Sequence, residues 1–311
     1  MPPARPYPPK PAAVYFFGTC LLDLIYPAAG LAAVELIERE GVRVIYPPGQ
    51  TCCGQPAFNS GYVREAREVA RAQLSLFPKP IPIVVPSGSC GAMLRVHVPR
   101  LFGAGDGHEP GGGSPSGGER GAPVAWATGA AEAEQARAEQ ARALAARVYE
   151  WSEFMADVLK VSLSDRGPPC RVTYHPGCHL ARELGVTDAP QRLLRQLGRV
   201  ELVPLAAAEQ CCGFGGTFSV KHGEISAAMA ADKCAAVRES GAAVLVSADA
   251  GCLMNIAGAL EKWPRAGAGA AAVGQTAVAG QTAGASRAAA PGAPVRALPL
   301  AQFLKERVDG T

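Results

Sequence analysis

Ten cysteines occur in 311 residues, and eight of them fall into a pattern that appears twice. Cys52-Cys53 is followed by Gly54 and Cys211-Cys212 by Gly213, and each vicinal pair has one cysteine well before it and one well after it. The two sets are Cys20, Cys52, Cys53, Cys90 and Cys178, Cys211, Cys212, Cys252. Around the pair lie 31 and 36 residues in the first half, against 32 and 39 in the second. A matched double set marks an internal duplication. Four thiolates are the usual complement of one iron-sulfur cluster, so each half carries enough for one, with a four-iron four-sulfur cluster per repeat as the expectation. The glycine after each pair lets the backbone approach an inorganic core.

Other chemistries use the same residues. Four thiolates also suit structural zinc, although the Cys-x2-Cys knuckle usual in such sites is missing. Structural disulfides fit poorly, because adjacent cysteines bridge each other only under strain and cysteine-spaced chains of this kind are expected in a reducing, cytoplasmic setting. Burial as inert thiols explains one or two cysteines, not a duplicated eight. Cys170 and Cys234 lie outside the pattern, and Cys234 reads as a packed thiol within a helix. His175 and His179 flank Cys178, while Lys221 and His222 follow the second pair. Each either tunes a bound group through hydrogen bonds or is an ordinary core or surface residue.

The elements that must position these thiols are legible in the hydrophobic pattern. Val14 to Phe17, Val42 to Tyr46 and Ile81 to Val85 read as strands, separated by helical patterns over Leu21 to Glu40 and Ser60 to Phe77. In the first of these helices the apolar stripe runs through Leu24, Ile25, Leu31, Val34 and Ile37. The second half repeats the layout with strands Arg171 to Tyr174, Val200 to Val203 and Ala243 to Val246, and helices Pro190 to Leu197 and Glu224 to Glu239. The expected fold is therefore α/β, with two similar lobes from the duplication, each a small parallel sheet flanked by helices. Every cysteine of the two sets falls just past the carboxyl end of a strand, the edge where such sheets place ligands.

This reading divides the chain into a proline-rich start (1–11), a first cysteine-rich domain (12–102), a low-complexity insert (103–129) and a linking helix (130–168). A second cysteine-rich domain (169–265), a second low-complexity insert (266–294) and a strand and helix docking on the second domain (295–311) complete it. The length allows two domains, each able to bury its own core. With 30 basic against 27 acidic residues, the charge balance points away from nucleic acid as a partner. The apolar run 12–22 follows Arg5 and Lys10 as an export signal would, but Gly18, Asp23 and Pro27 interrupt it and its continuation. No run reaches the length of a transmembrane helix, which leaves at most a peripheral membrane association. No dinucleotide fingerprint, phosphate loop or nucleophile elbow is present, so electrons passing through the chain must be delivered and collected by others.

Six segments carry a resemblance to a known family. They are Gly18 to Asp23, Gln50 to Gly61 and Pro86 to Cys90 in the first half, with Tyr174 to Leu180, Cys211 to Lys221 and Gly251 to Ile256 in the second. Together they resemble the cysteine-rich CCG domains of the heterodisulfide reductases and of the glycolate oxidase iron-sulfur subunit. They are most similar to the iron-sulfur subunit of the lactate-utilisation complex. The resemblance implies an electron-transfer oxidoreductase subunit in L-lactate oxidation to pyruvate, not catalytically complete alone, with a ferredoxin-type iron-sulfur subunit and a third subunit as partners. A thiol-disulfide reductase subunit of the heterodisulfide type is the alternative. The heterodisulfide form ends each repeat in Cys-x-x-Cys, whereas here Ser87 and Asp249 hold the first of those positions. That change removes the fifth thiolate and leaves each of these oxygens as a ligand or a loop cap.

Overall fold

The computed structural model describes residues 5–103, 125–263 and 294–311. The two low-complexity inserts, 103–129 and 266–294, lie largely outside the described residues, as does the beginning of the proline-rich start. Two four-stranded parallel sheets organise the chain. The first has the order β2-β1-β3-β4, built from β1 (Ala13–Phe16), β2 (Arg43–Ile45), β3 (Ile83–Val85) and β4 (Val148–Glu150). The second has the order β6-β5-β7-β8, from β5 (Cys170–His175), β6 (Val200–Val203), β7 (Val244–Ser247) and β8 (Arg296–Pro299). The two orders are the same permutation, and Phe16 beside Val84 in one sheet matches Tyr174 beside Val246 in the other.

The central strands are short apolar runs because both of their faces are covered. Ile83, Val84 and Val85 are wholly buried, as are all four residues of β7, the pattern of a parallel sheet between two helical layers. From β1 the chain crosses to β2 on one side and then returns to β3 on the other. The loops after β1 and β3 therefore part at a switch point, and a crevice opens at the carboxyl ends of those strands.

The helices differ from the sequence reading in instructive ways. The expected helix Leu21 to Glu40 is two helices, Cys20–Ile25 and Pro27–Arg39, with proline at the start of the second. Proline cannot donate to the turn before it, so the break falls there. The break also rotates the stripe. Leu22, Ala29, Ala33, Leu36 and Ile37 are buried, whereas Leu24 and Leu31, read as core, are 75% and 72% exposed. Likewise the linking helix read over 130–168 ends at Ala145, and Val148–Glu150 becomes the fourth strand of the first sheet.

The two lobes do not keep separate cores. One cluster joins Val14, Phe16 and Val84 of the first sheet to Val172, Tyr174 and Val246 of the second. What closes it is an exchange of helices. After β4, the segment Trp151–Leu159 packs on helix Ala189–Arg195 of the second half, and after β8 the helix Leu300–Asp309 packs on Pro27–Arg39 of the first. Trp151 is 2% exposed and its indole N–H donates to the Ala33 carbonyl at 3.1 Å. Burying a side chain of this kind stabilises by about 1.5–3 kcal/mol. The tail thus adds its strand to the second sheet and its helix to the first half. The outer face of each sheet has its own apolar cluster, and these include Cys53 and Cys90 on one side and Cys212 and Cys252 on the other.

Candidate metal centres

Each quartet is gathered by three loops leaving strand ends. Cys20 opens the helix after β1, Cys52 and Cys53 lie on the loop after β2, and Cys90 sits in the short helix Gly88–Ala92 after β3. In the second lobe Cys178 follows β5, Cys211 and Cys212 follow β6, and Cys252 lies in the first turn of helix Ala250–Lys262 after β7. The thiols interact electrostatically in sequence, Cys20 with Cys52, Cys52 with Cys53 and Cys53 with Cys90, and the same chain runs through Cys178, Cys211, Cys212 and Cys252. All ten cysteines are free thiols. The structure therefore brings together all eight residues of the duplicated pattern and leaves Cys170 and Cys234 apart. Cys234 is 1% exposed, with its thiol donating to the Ile256 carbonyl at 3.7 Å.

Electrostatics within each quartet is uneven in the same way. Thiol donation from Cys20 and Cys53, helped by backbone N–H groups, holds Cys52 well below the usual thiol range, while hydrogen bonding to Cys52 pushes Cys20 and Cys53 up. Cys211 is held down by Cys178 and Cys212, with Cys178 and Cys212 pushed up in return. Adjacent negative charges in a half-buried site repel. Four thiolates at once need a cationic core between them. The loops are shaped for such a group. Gly54 and Gly213 stand at φ 90° and 86°, and a Cβ on Gly213 would lie 2.6 Å from the Ser226 carbonyl oxygen. This left-handed turn also aims the Gly213 and Phe214 N–H groups at the Cys211 and Cys212 sulfurs, at 3.4 and 3.5 Å.

Asp249 resolves the question left by the missing fifth cysteine. Its Oδ1 accepts from the Gly251 and Cys252 N–H groups at 3.1 and 3.2 Å, capping the helix that carries Cys252. Its Oδ2 reaches across the lobe boundary to accept from Ser89 N–H at 2.8 Å and Ser87 Oγ at 3.2 Å. One carboxylate therefore ties the Cys90 loop to the Cys252 loop. Ser60 and Thr217 hydroxyls, 2.6 Å apart, make a second tie between the vicinal-pair loops.

Two features near the thiols, Lys233 and Thr19, escape the sequence reading, which does single out His175. His175 is 1% exposed and neither ring nitrogen has a hydrogen-bond partner. Burial, then the nearby Lys233 charge, lower its pKa to about 4 and keep it neutral. Its ring and the Cys212 and Cys252 sulfurs offer ligand atoms that all lie within 4.8 Å of one another. Leaving buried polar atoms unmatched costs on the order of 1–3 kcal/mol each. Lys233, fully buried, donates Nζ–H to the Ala207 carbonyl at 2.6 Å. A signal for it existed, since Lys233 lies on the same stripe as the buried Ser226, Ala230 and Val237. Thr19, beside Cys20, holds φ 51° with an unpartnered buried hydroxyl, an outlier for a β-branched residue. The other flagged groups are less central. His179 Nδ1 lies 3.6 Å from Cys178 Sγ. His222 packs against Phe218 with ring centroids 5.2 Å apart and planes tilted by 41°, and Lys221 lies 5.5 Å over the Tyr62 ring.

Comparison with known proteins agrees with this architecture. The family model described as a cysteine-rich domain, CCG, matches residues 14–95 and again 172–257. Lactate utilization protein A of Geobacillus kaustophilus (strain HTA426) is 46% identical over 249 residues, covering 80% of this chain and 92% of that protein. The protein of the same name from Bacillus licheniformis is 42% identical over 245 residues, covering 79% and 90%. A crystal structure of a hypothetical protein from Helicobacter pylori shares the fold at TM-score 0.56 and 10% identity. That match covers 99% of this chain, which spans only 51% of the Helicobacter chain. No helix among the described residues is long and apolar enough to cross a membrane. With both repeats matched and the alignments to the two Lactate utilization protein A sequences spanning nearly their whole length, the chain belongs to the cysteine-rich CCG-domain family, within the group of Lactate utilization protein A.

Proposed function

We propose that the chain is a cytoplasmic iron-sulfur electron-transfer subunit of a complex that oxidises L-lactate to pyruvate. Cys20, Cys52, Cys53 and Cys90 hold one cluster, and Cys178, Cys211, Cys212 and Cys252 hold the other, each a four-iron four-sulfur group. The observation that carries this reading is the gathering of four free, electrostatically interacting thiols at one sheet edge, twice. The substrate comes from the name that relatives at 42–46% identity bear. When bound, a thiolate-held cluster takes up and releases single electrons. The chain's own part is to supply thiolates, aim the Gly213 and Phe214 N–H groups at sulfur, and place helix starts, whose dipoles favour negative charge, around the site. Its partners are a ferredoxin-type iron-sulfur subunit and a third chain that completes the reaction.

Protein purified without oxygen should contain iron and acid-labile sulfide in both lobes. Zinc alone at full occupancy would reject the cluster. The intact complex should lose visible absorption on adding L-lactate. Bleaching by glycolate but not lactate would reassign the substrate. Ser87 and Asp249, which stand where the disulfide-reductase alternative has cysteines, are engaged with each other and with backbone N–H groups.

A further inference from the structure

The two quartets match, but their surroundings do not. Aligning Cys20 with Cys178 places Phe17 opposite His175, each three residues before its cysteine at a strand end. Aligning Ala66 with Ser226, whose carbonyl oxygens face a Cβ on Gly54 and on Gly213 respectively, places Gln73 opposite Lys233. The first lobe thus has a phenyl ring where the second has an imidazole.

We propose that His175 is a fifth donor at the second-lobe site, its ring N–H hydrogen-bonding a sulfur of the group held by Cys178, Cys211, Cys212 and Cys252. This rests on the iron-sulfur reading above. Three observations support it. The imidazole is 1% exposed, so water does not satisfy it. Neither nitrogen has a partner among the described residues. Its ligand atom and the Cys212 and Cys252 sulfurs lie within 4.8 Å of one another, and a group seated on those sulfurs meets the ring. A neutral imidazole carries one N–H to give.

The charged residues facing the same site are already engaged. Lys233 donates to the Ala207 and Ala208 carbonyls at 2.6 and 3.4 Å, and Asp249 accepts four hydrogen bonds. They are opposite in sign, and the other nearby imidazole, His179, already has Nδ1 3.6 Å from Cys178 Sγ, whereas the buried His175 ring has no partner among the described residues. Hydrogen bonds to cluster sulfur favour the reduced, more negative state, so the second-lobe group should be the easier of the two to reduce.

The test uses anaerobic full-length protein grown with 15N-histidine, reduced and studied by pulsed electron paramagnetic resonance alongside a redox titration. Cys211→Ser assigns the second-lobe signal by removing it. That signal should show coupling to a histidine nitrogen, and in His175→Phe the coupling should vanish and its midpoint move to a more negative potential while the first-lobe midpoint stays. Phe17→His should bring nitrogen coupling to the first-lobe signal. The nitrogen measurement needs no substitution, so a variant that fails to fold does not protect the idea. Absence of histidine coupling in the wild type, or a full complement of iron in His175→Phe with an unmoved midpoint, overturns the proposal. Lack of iron and sulfide in both lobes overturns the iron-sulfur reading, and this assignment with it.

Discussion

The first and second lobes share a strand permutation, a thiol chain and a left-handed glycine after each cysteine pair, yet they differ wherever a side chain approaches the thiols without being one. Phe17, Gln73 and Ser87 in one lobe stand against His175, Lys233 and Asp249 in the other. What is held in common builds the site. What differs sets its polarity, and the second lobe holds the charged groups. At the far end of the fourth strand the difference reverses, with Glu150 in the first lobe where the second has Pro299.

The largest difference between the lobes should follow from removing one thiolate in each. Cys52→Ser and Cys211→Ser should each lose about half of the bound iron, since four thiolates hold each cluster. Metal analysis checks this, and an unchanged iron content in either variant would take that residue off the ligand list. Next come the paired glycines. Alanine at either position meets the left-handed penalty of about 1–2 kcal/mol. Gly213→Ala also drives a Cβ to 2.6 Å from the Ser226 carbonyl, whereas Gly54→Ala meets Val69 at 3.4 Å. Gly213→Ala should therefore cost about 1–3 kcal/mol more than Gly54→Ala. Equal costs in denaturant unfolding would mean that the second loop relaxes freely.

Glu150 sharpens the comparison through pH. Burial raises its carboxyl from 4.5 to about 8, against hydrogen bonds from Ser152 and Glu153 that favour the charged form. Between those values the folded chain binds more protons than the unfolded one. Stability should then fall as pH rises through this window, by on the order of a few kcal/mol in total. Glu150→Gln should flatten that slope, and a slope that persists would assign it to another group. The smallest effect belongs to the Arg39–Asp309 pair, 2.7 Å apart between the first-half helix and the tail. Its side chains remain partly exposed, so Asp309→Asn should cost less than about 1 kcal/mol. A larger loss in thermal unfolding would show that this contact, and not the apolar packing beneath it, holds the exchanged helix.

Much of this was legible in the residues because the thiols and their strands are local facts. Val14 to Phe17 then Cys20, or Ile81 to Val85 then Cys90, each name a strand and the ligand it delivers. Long-range facts were not legible. Val148–Glu150 is a three-residue strand between helical segments, and only its pairing with Ile83–Val85 makes it one. Leu24 and Leu31 fit an apolar stripe until Pro27 rotates one helix against the next. In the sequence His175 is a residue that either tunes a bound group or packs in the core; the lack of a partner for its ring exists only once the chain has folded around it.

The crossed helices, Trp151–Leu159 on the second half and Leu300–Asp309 on the first, give this single chain the build of a two-fold dimer whose subunits have traded arms. In such a dimer every residue would appear at both centres, and no substitution could touch one alone. Joining the copies end to end removes that constraint, so an imidazole can stand at one centre and a phenyl ring at the other without either half losing its hold on its twin.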